Sequence, residues 1–415
     1  MIMVVFNGLK RKRSRIGLDI GASGVRAVQL TRSAGGYELT NAASGDRSSS
    51  EPGAQATGQD LALGDRIGTV IRTDRGGRVR FHGKDVAVAL ATPDVEFHTL
   101  ELPAAVFHAD EAEAEQIVKY EVERLMTGQQ SRVETRHWRL PQTVIRADQG
   151  GRVCVPAPNA IGTGAAHETI NRTIEVCAKA GLTCSHLDTT ATALARFGAV
   201  LQCRPKDQVW GVLDVGDRQA RLTLCLEDTP ILVRTAGAGG HAWTQRIADA
   251  LQLSFKAAEI HKRDHGIALT GRQTRDPADE GTRSELASLI LGALRADLND
   301  LASEVKRSYE YVLGCYPGRR AADLVLCGGG SLLHHFPEFL GEALGIPVRR
   351  ASSYLQSELC RLGFVAEGVG RRDRQTSRPR VRRRDQGGSV REGPGGSVHA
   401  SLEVLAVAVG LAISE

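Results

Sequence analysis

The sequence predicts an α/β protein of two similar lobes, and three segments carry the prediction. The run Leu18-Asp19-Ile20-Gly21-Ala22-Ser23-Gly24-Val25-Arg26 is answered by Leu213-Asp214-Val215-Gly216-Asp217-Arg218-Gln219-Ala220-Arg221, about one domain length later. In each copy an apolar run ends on Asp, a Gly permits a sharp reversal, and a second β-like run follows. That pattern is a hairpin whose tip exposes backbone N–H groups and one carboxylate. The third segment, Leu324-Val325-Leu326-Cys327-Gly328-Gly329-Gly330-Ser331-Leu332, reads as a buried strand running into a triple glycine and then a helix. Two tips facing each other would hold the phosphates of a nucleotide between two lobes.

The 415 residues are 41% hydrophobic, enough for sizeable cores and for two or more domains. Eight cysteines are scattered without a C-x-x-C pair, mostly in apolar runs. They read as buried free thiols in a reducing compartment, not as disulfides or metal ligands. No apolar stretch reaches the roughly 18–20 residues that span a bilayer. The apolar start, Met1 to Phe6, precedes the basic run Lys10 to Arg15, the reverse of a secretory signal, so a cytoplasmic protein is expected. The net charge of +5 sits on appendages: five basic residues between Lys10 and Arg15, and nine arginines against three acids between Arg371 and Glu392. The remaining body is mildly acidic, which argues against a specific nucleic-acid-binding domain.

The chain divides into a basic leader (1–15), a first lobe (16–200) with an inserted small subdomain over about 60–130, and a second lobe (207–415) with a helical subdomain over about 241–318. In the first lobe, Tyr37 to Ala43 reads as a third strand and Ser44 to Gln59 as a polar loop. Asp60 to Arg72 has helical spacing, Asp85 to Leu90 and Glu96 to Leu102 read as strands, and an acidic first turn at Asp110 opens a helix to about Met126. Val153 to Pro156, His167 to Ala180 and Thr183 to Leu187 form an expected strand–helix–strand unit, with a linker at Cys203 to Lys206. In the second lobe, helices are expected over His241 to Leu251, around Ala257 to Lys262, and over Ser284 to Leu313. Gly368 to Ala400, dominated by Arg, Gly and Ser, buries too little apolar surface to order itself. It is either a solvated insertion or a contact for anionic surfaces. A small-residue helix closes the sequence, with Ala406, Ala408 and Gly410 allowing close packing.

Chemically, Gly21, Ala22 and Ser23 let backbone N–H donors approach phosphate oxygens, and Asp19 at the strand end suits Mg²⁺ held through water. In the second copy Asp214 and Gly216 repeat the pattern. Asp217 there would repel a phosphate and Arg218 would compensate. Gly328, Gly329, Gly330 and Ser331 offer open backbone to a flat ring such as adenine and a helix N-terminus to negative charge. Glu259 and Lys262, one helical turn apart, are candidate ribose contacts or an ordinary surface ion pair. Each element alone is also a common structural turn. His334-His335 reads as structural or exposed, since neighbouring positions on a helix do not face one ion.

With these elements in place the chain resembles the actin-like ATPase superfamily, and within it the PilM family of type IV pilus assembly. The basic leader followed by Ile16-Gly17-Leu18-Asp19-Ile20-Gly21, Leu102-Pro103 with Ile117-Val118-Lys119-Tyr120-Glu121, Gly239-Gly240 with Leu253 to Glu259, and Gly328 through Val348 carry the resemblance. It implies an actin-like (ribonuclease H-like) fold binding ATP and Mg²⁺. Asp19 with Gly21 to Ser23 would be the first phosphate element, and Asp214 with Gly216 the second. Glu259 and Lys262 would contact ribose, and Gly328 to Gly330 adenosine. Where relatives often carry a Glu between the lobes, this chain has Leu187-Asp188-Thr189-Thr190-Ala191, with Thr190 at the acidic position. Thr is no general base, so hydrolysis is expected to be slow or negligible. Asp19, Asp214 and Asp188 are the remaining catalytic candidates. The implied partner is the cytoplasmic tail of a single-span inner-membrane pilus protein, docking beside Leu102 to Met126. Self-association, and peripheral membrane contact through the leader or the Arg-rich insertion, stay open. The alternatives are an FtsA-like division protein and a small-molecule kinase, for which no substrate-cleft Asp can be nominated.

Overall fold

The computed structural model describes residues 12–33, 36–46, 56–72, 81–107, 111–126, 132–141, 144–146, 152–154, 158–201, 207–268, 280–354 and 402–413. The apolar alternation around the first Asp builds an antiparallel meander, β1 (Lys12–Ile20), β2 (Gly24–Ser33) and β3 (Gly36–Asp46). Helix α1 (Ala56–Arg72) and strand β4 (Asp85–Leu90) come next, β4 pairing parallel to β1. The chain then leaves this sheet for a smaller unit. Strand β5 (Glu96–Leu100), helix α2 (Glu111–Leu125), β6 (Val133–Arg139), the hairpin β7 (Val144–Arg146) and β8 (Arg152–Cys154), and β9 (Ala160–Ala166) compose it. Helix α3 (His167–Lys179) returns the chain to the first sheet as β10 (Thr183–Thr189), and α4 (Thr190–Leu201) leads out.

The second lobe repeats the plan. Strands β11 (Gln208–Val215), β12 (Gln219–Leu226) and β13 (Thr229–Ala238) form a second antiparallel meander. Helices α5 (Gly240–Leu251), α6 (Phe255–His265) and α7 (Glu280–Cys315) precede β14 (Arg320–Cys327). Then come α8 (Phe336–Leu344), β15 (Val348–Arg350), the short α9 (Ala351–Tyr354) and α10 (Leu402–Ile413). The two main sheets have matching order, β3-β2-β1-β4-β10 and β13-β12-β11-β14-β15, with the same antiparallel and parallel pairings. Such a duplicated sheet places the two hairpin tips at equivalent sites.

Three cores hold the lobes. The first sheet packs Ile16, Leu18 and Val86 against Ile67 and Ile71 of α1 and Val176 of α3. The second packs Leu213, Leu222 and Leu326 against Trp243 of α5, Leu298 of α7 and Phe336. Between the sheets lie α4 and α10, joining Val28 and Ala87 to Trp210, Val212 and Val325. Here the small residues of α10 matter. A methyl group on Gly410 would collide with the Ala193 carbonyl of α4, and one on Gly17 of β1 with the Ala408 carbonyl. Burial of these close-packed apolar faces is the main stabilising term.

In the first lobe the structure departs from the sequence expectations in four places. Residues 12–15, read as leader, are strand, because Lys12 and Arg13 pair with Arg32 and Thr31. The loop read over Ser44 to Gln59 begins as strand, since Ser44–Asp46 pair with Gly24–Arg26, and its end is already α1. The strand read at Val153 to Pro156 is only the β8 hairpin arm, and the strand that precedes α3 is β9, held between β5 and β6. Helix α1, expected with the insertion, packs its Ile67, Val70 and Ile71 on the first sheet. The linker at Cys203 to Lys206 and the segment Gly368 to Ala400 lie outside the described residues. No helix among the described residues is long and apolar enough to cross a membrane.

Candidate functional site

Each hairpin closes the same way. The Gly21 N–H donates to the Gly24 carbonyl at 2.9 Å, and the Gly216 N–H to the Gln219 carbonyl at 3.0 Å. One step below each tip, an aspartate faces an arginine directly across the ladder, Asp19 opposite Arg26 and Asp214 opposite Arg221. Both guanidinium–carboxylate contacts, from Nη1 to Oδ2, measure 3.3 Å. Burial pushes both aspartates up from the ordinary carboxylate value, with their arginines pulling the other way. Each also feels the arginine of the opposite lobe, so the four groups form one electrostatic set. Arg26 Nη2 donates to Ser23 Oγ at 3.1 Å, and Arg221 Nη2 reaches the Thr92 carbonyl of the first lobe at 3.5 Å.

The second tip does more than turn. Gly239, Gly240 and His241, at the start of α5, donate their N–H groups to the carbonyls of Arg218, Gly216 and Asp217 at 3.0, 2.9 and 2.8 Å. The tip therefore caps α5, satisfying donors that a helix start leaves open. Gly239 permits this approach, since a Cβ there would lie 2.5 Å from the carbonyl oxygens of Gly216 and Asp217.

The triple glycine folds as predicted up to its helix. Gly328 takes φ +80°, and a Cβ there would press on Asp214 Oδ1 at 2.5 Å. Beyond it the chain makes a single 3-10 turn, Gly329–Leu332, and not the α-helix the sequence suggests; α8 starts only at Phe336. Ser331 is fully buried, donates its hydroxyl to the Gly328 carbonyl at 2.7 Å, and does not line the cleft. It holds the turn. Arg350 braces the same turn, donating to the carbonyls of Ser331 and Leu333 at 2.9 Å each. His334 and His335 are exposed, as expected.

Glu259 and Lys262 sit on α6, which Ser254 caps by accepting from the Ala257 N–H at 3.2 Å. Lys262 is buried, and its ammonium donates to the Gly240 carbonyl (3.0 Å), Thr244 Oγ1 (2.6 Å) and Glu259 Oε2 (2.6 Å). All three protons are thus engaged, two of them clamping α5 to α6 and the third on Glu259 of α6 itself. Burial pulls the Lys262 ammonium down, against the carboxylate beside it. Glu259 accepts from Thr244 and Arg263 as well, at 2.5 and 2.7 Å. Burial pushes its carboxyl up, but bonds from Lys262 and Thr244 outweigh that and hold it below its ordinary value. A ligand hydroxyl reaching Lys262 or the half-buried Glu259 would have to replace or share one of these bonds.

These elements surround one cleft of about 1390 Å³. Asp19, Gly21, Ala22, Ser23, Asp214, Gly216, Glu259, Lys262, Gly328, Gly329 and Gly330 all line it, as does Thr190. Asp188 does not. Its carboxylate is tied to Arg196, to the Thr192 hydroxyl and to the Thr189 N–H, where it secures the start of α4. Arg26 and Arg221 line the cleft too, and sequence reasoning misses them. Their signal is the same seven-residue offset from Asp in both copies. Among the described residues no three His, Cys, Asp or Glu converge as a ready-made metal group. The buried Asp214 and the half-buried Asp19 are hard oxygen donors on opposing strand ends. Such a pair fits a hydrated magnesium ion, which keeps most of its waters and shares its remaining charge with phosphate.

Comparison with known proteins agrees with this architecture. The chain is similar to the "PilM-PilN type IV pilus biogenesis complex" structure at 23% identity and TM-score 0.63, over 96% of this chain and 97% of that one. Weaker likenesses reach the ethanolamine utilization protein EutJ from Carboxydothermus hydrogenoformans (15% identity, TM-score 0.47, 86% and 92% covered). They also reach MreB 5 of Spiroplasma citri bound to AMPPNP (12%, TM-score 0.42, 83% and 93%). No curated protein matches the chain by sequence. The family model of the cell division protein FtsA matches residues 211–370, and that of the type IV pilus assembly protein PilM matches residues 17–271. With more than half its length matched and an actin-like α/β fold, the chain belongs to the PilM family of type IV pilus assembly proteins.

Proposed function

We propose that this chain is an ATP-binding scaffold of type IV pilus assembly, working at the inner face of the membrane through its partners. The observation that carries the nucleotide half is convergence: both hairpin tips and the Gly328–Gly330 turn, from separate parts of the sequence, line one cleft. Asp19, aided by Asp214, would hold Mg²⁺ through water, and the metal would screen the phosphate charge. Ala22 and Ser23 would meet the phosphates, Glu259 the ribose, and Gly329 the adenosine. The chain's own residues favour holding ATP over cleaving it. Thr190, which lines the cleft at the lobe junction, has no basic group to take a proton from water, and Asp188 is engaged elsewhere.

The partner half rests on the small unit. Its helix α2 buries Val118 and Val122 against Leu100 and Leu102 and leaves Tyr120 exposed at 66% and Leu125 at 38%. Exposed aromatic and aliphatic side chains on one helix are anchors of the kind that protein partners bury. The similar solved structure is that of a PilM-PilN complex, which supports a membrane pilus protein as the occupant here. Fluorescence anisotropy with a labelled cytoplasmic-tail peptide of a single-span pilus protein tests this. Tyr120→Ala is expected to weaken binding at least about tenfold; an unchanged affinity rejects α2 as the docking face.

A further inference from the structure

The two cross-strand arginines have chemistry that the nucleotide reading leaves unused. Their contacts to Asp19 and Asp214 are both 3.3 Å, longer than the ~2.7–2.9 Å of a well-made charge-assisted bond. Several arginine pairs elsewhere close more tightly, such as Arg124 on Glu121 at 2.7 Å and Arg172 on Asp60 at 2.8 Å, while Arg349 on Asp323 is 3.2 Å. Arg221 has further slack. Its other bond, to the Thr92 carbonyl, is 3.5 Å long, and its buried Nε has no hydrogen-bond partner among the described residues. A guanidinium carries five donors in a fixed fork, and this one holds two long bonds. The four groups together are electrically neutral, so they offer a bare dication little net attraction, while a phosphate brings several acceptors in the geometry a guanidinium prefers.

We propose that Arg26 and Arg221 change partners when a nucleotide enters, leaving Asp19 and Asp214 for phosphate oxygens and thereby releasing the carboxylates to hydrated Mg²⁺. This rests on the nucleotide reading above. Metal and nucleotide then bind as a coupled pair, and the arginines oppose metal binding alone. Because Arg221 belongs to the second lobe and Thr92 to the first, the exchange also releases a bond between lobes.

Two titrations of the full chain test this: Mn²⁺ alone, monitored by electron paramagnetic resonance, and a fluorescent ATP (mant-ATP) in excess Mg²⁺ or in EDTA. Arg221→Gln is expected to tighten Mn²⁺ alone about tenfold and to weaken mant-ATP about tenfold or more, the scale of one charge-assisted bond. Arg221→Lys, which keeps the charge, should stay near wild type in the Mn²⁺ titration. Mn²⁺ affinity that is unchanged or weaker in Arg221→Gln overturns the proposal, as does unchanged mant-ATP affinity. If Arg221→Gln does not fold by circular dichroism, Arg26→Gln takes its place with the same expectations. If wild type binds no mant-ATP under either condition, the nucleotide reading falls. The Mn²⁺ comparison still decides, separately, whether the guanidinium groups hold the carboxylates.

Discussion

The tip Gly21–Gly24 of the first lobe and the tip Gly216–Gln219 of the second close with equivalent bonds, and each sits above an aspartate–arginine pair of the same length. Beyond that they differ. The second tip gives three carbonyls to the start of α5, and Lys262 fixes the same corner by holding the Gly240 carbonyl. The first tip presents Ala22 and Ser23, both exposed, to the cleft. A repeated topology has therefore been put to two uses. The first tip is open to a ligand, and the second is a structural corner that carries Asp217 and Arg218 at its edge.

That contrast is broken or sharpened by substitutions at the first tip and at the corner the second tip caps. The largest effect is expected from Gly239→Ala, whose Cβ would press on two carbonyl oxygens at 2.5 Å that belong to backbone and have nowhere to move. A loss of about 1–3 kcal/mol in urea unfolding is predicted, with α5 the first region to lose hydrogen-exchange protection. Next is the Lys262–Glu259 clamp. Because Glu259 is held below its ordinary value of 4.5, it contributes stability above that pH, and the contribution is lost as pH falls through its folded pKa. Glu259→Gln should cost about 1.5 kcal/mol at pH 7, and the gap to wild type should close below about pH 4.5. A gap constant with pH would remove the carboxylate from the clamp. The smallest stability effect belongs to Gly21→Ala. Its Cβ meets the movable end of Arg26 at 2.7 Å and one backbone oxygen, that of Gly24, at 3.3 Å, so less than about 1 kcal/mol should be lost while ATP binding weakens. Equal losses at Gly21 and Gly239 would erase the distinction between the tips.

Much of this is legible in the sequence because it is local. An apolar run ending in Asp-x-Gly fixes a hairpin, a triple glycine after a buried strand fixes a turn, and Ala406, Ala408 and Gly410 announce a close-packed helix. The features that are not legible depend on distant partners. Strand β9 is built from Ala, Gly and Thr around one Ile, a poor strand composition. It is a strand because β5 and β6 flank it and because Gly162 leaves room for Val122 of α2. Lys262 reads as a surface cation until Gly240 and Thr244 come to it from another helix. Ser331 belongs to a motif that faces the cleft, yet the turn rotates its hydroxyl inward onto Gly328. Asp188 lies two residues before the expected acidic position, but Arg196, in the second turn of α4, claims it.

The central claim is that the cleft holds a nucleotide through the first tip. Thermal unfolding with and without Mg-ATP, for wild type and for Asp19→Asn, tests it most directly. A ligand at ~100 times its Kd adds about 2.7 kcal/mol to the folded state. A clear upward shift is predicted for wild type and little or none for Asp19→Asn. No shift for wild type at millimolar Mg-ATP, or an equal shift in both proteins, would contradict the claim.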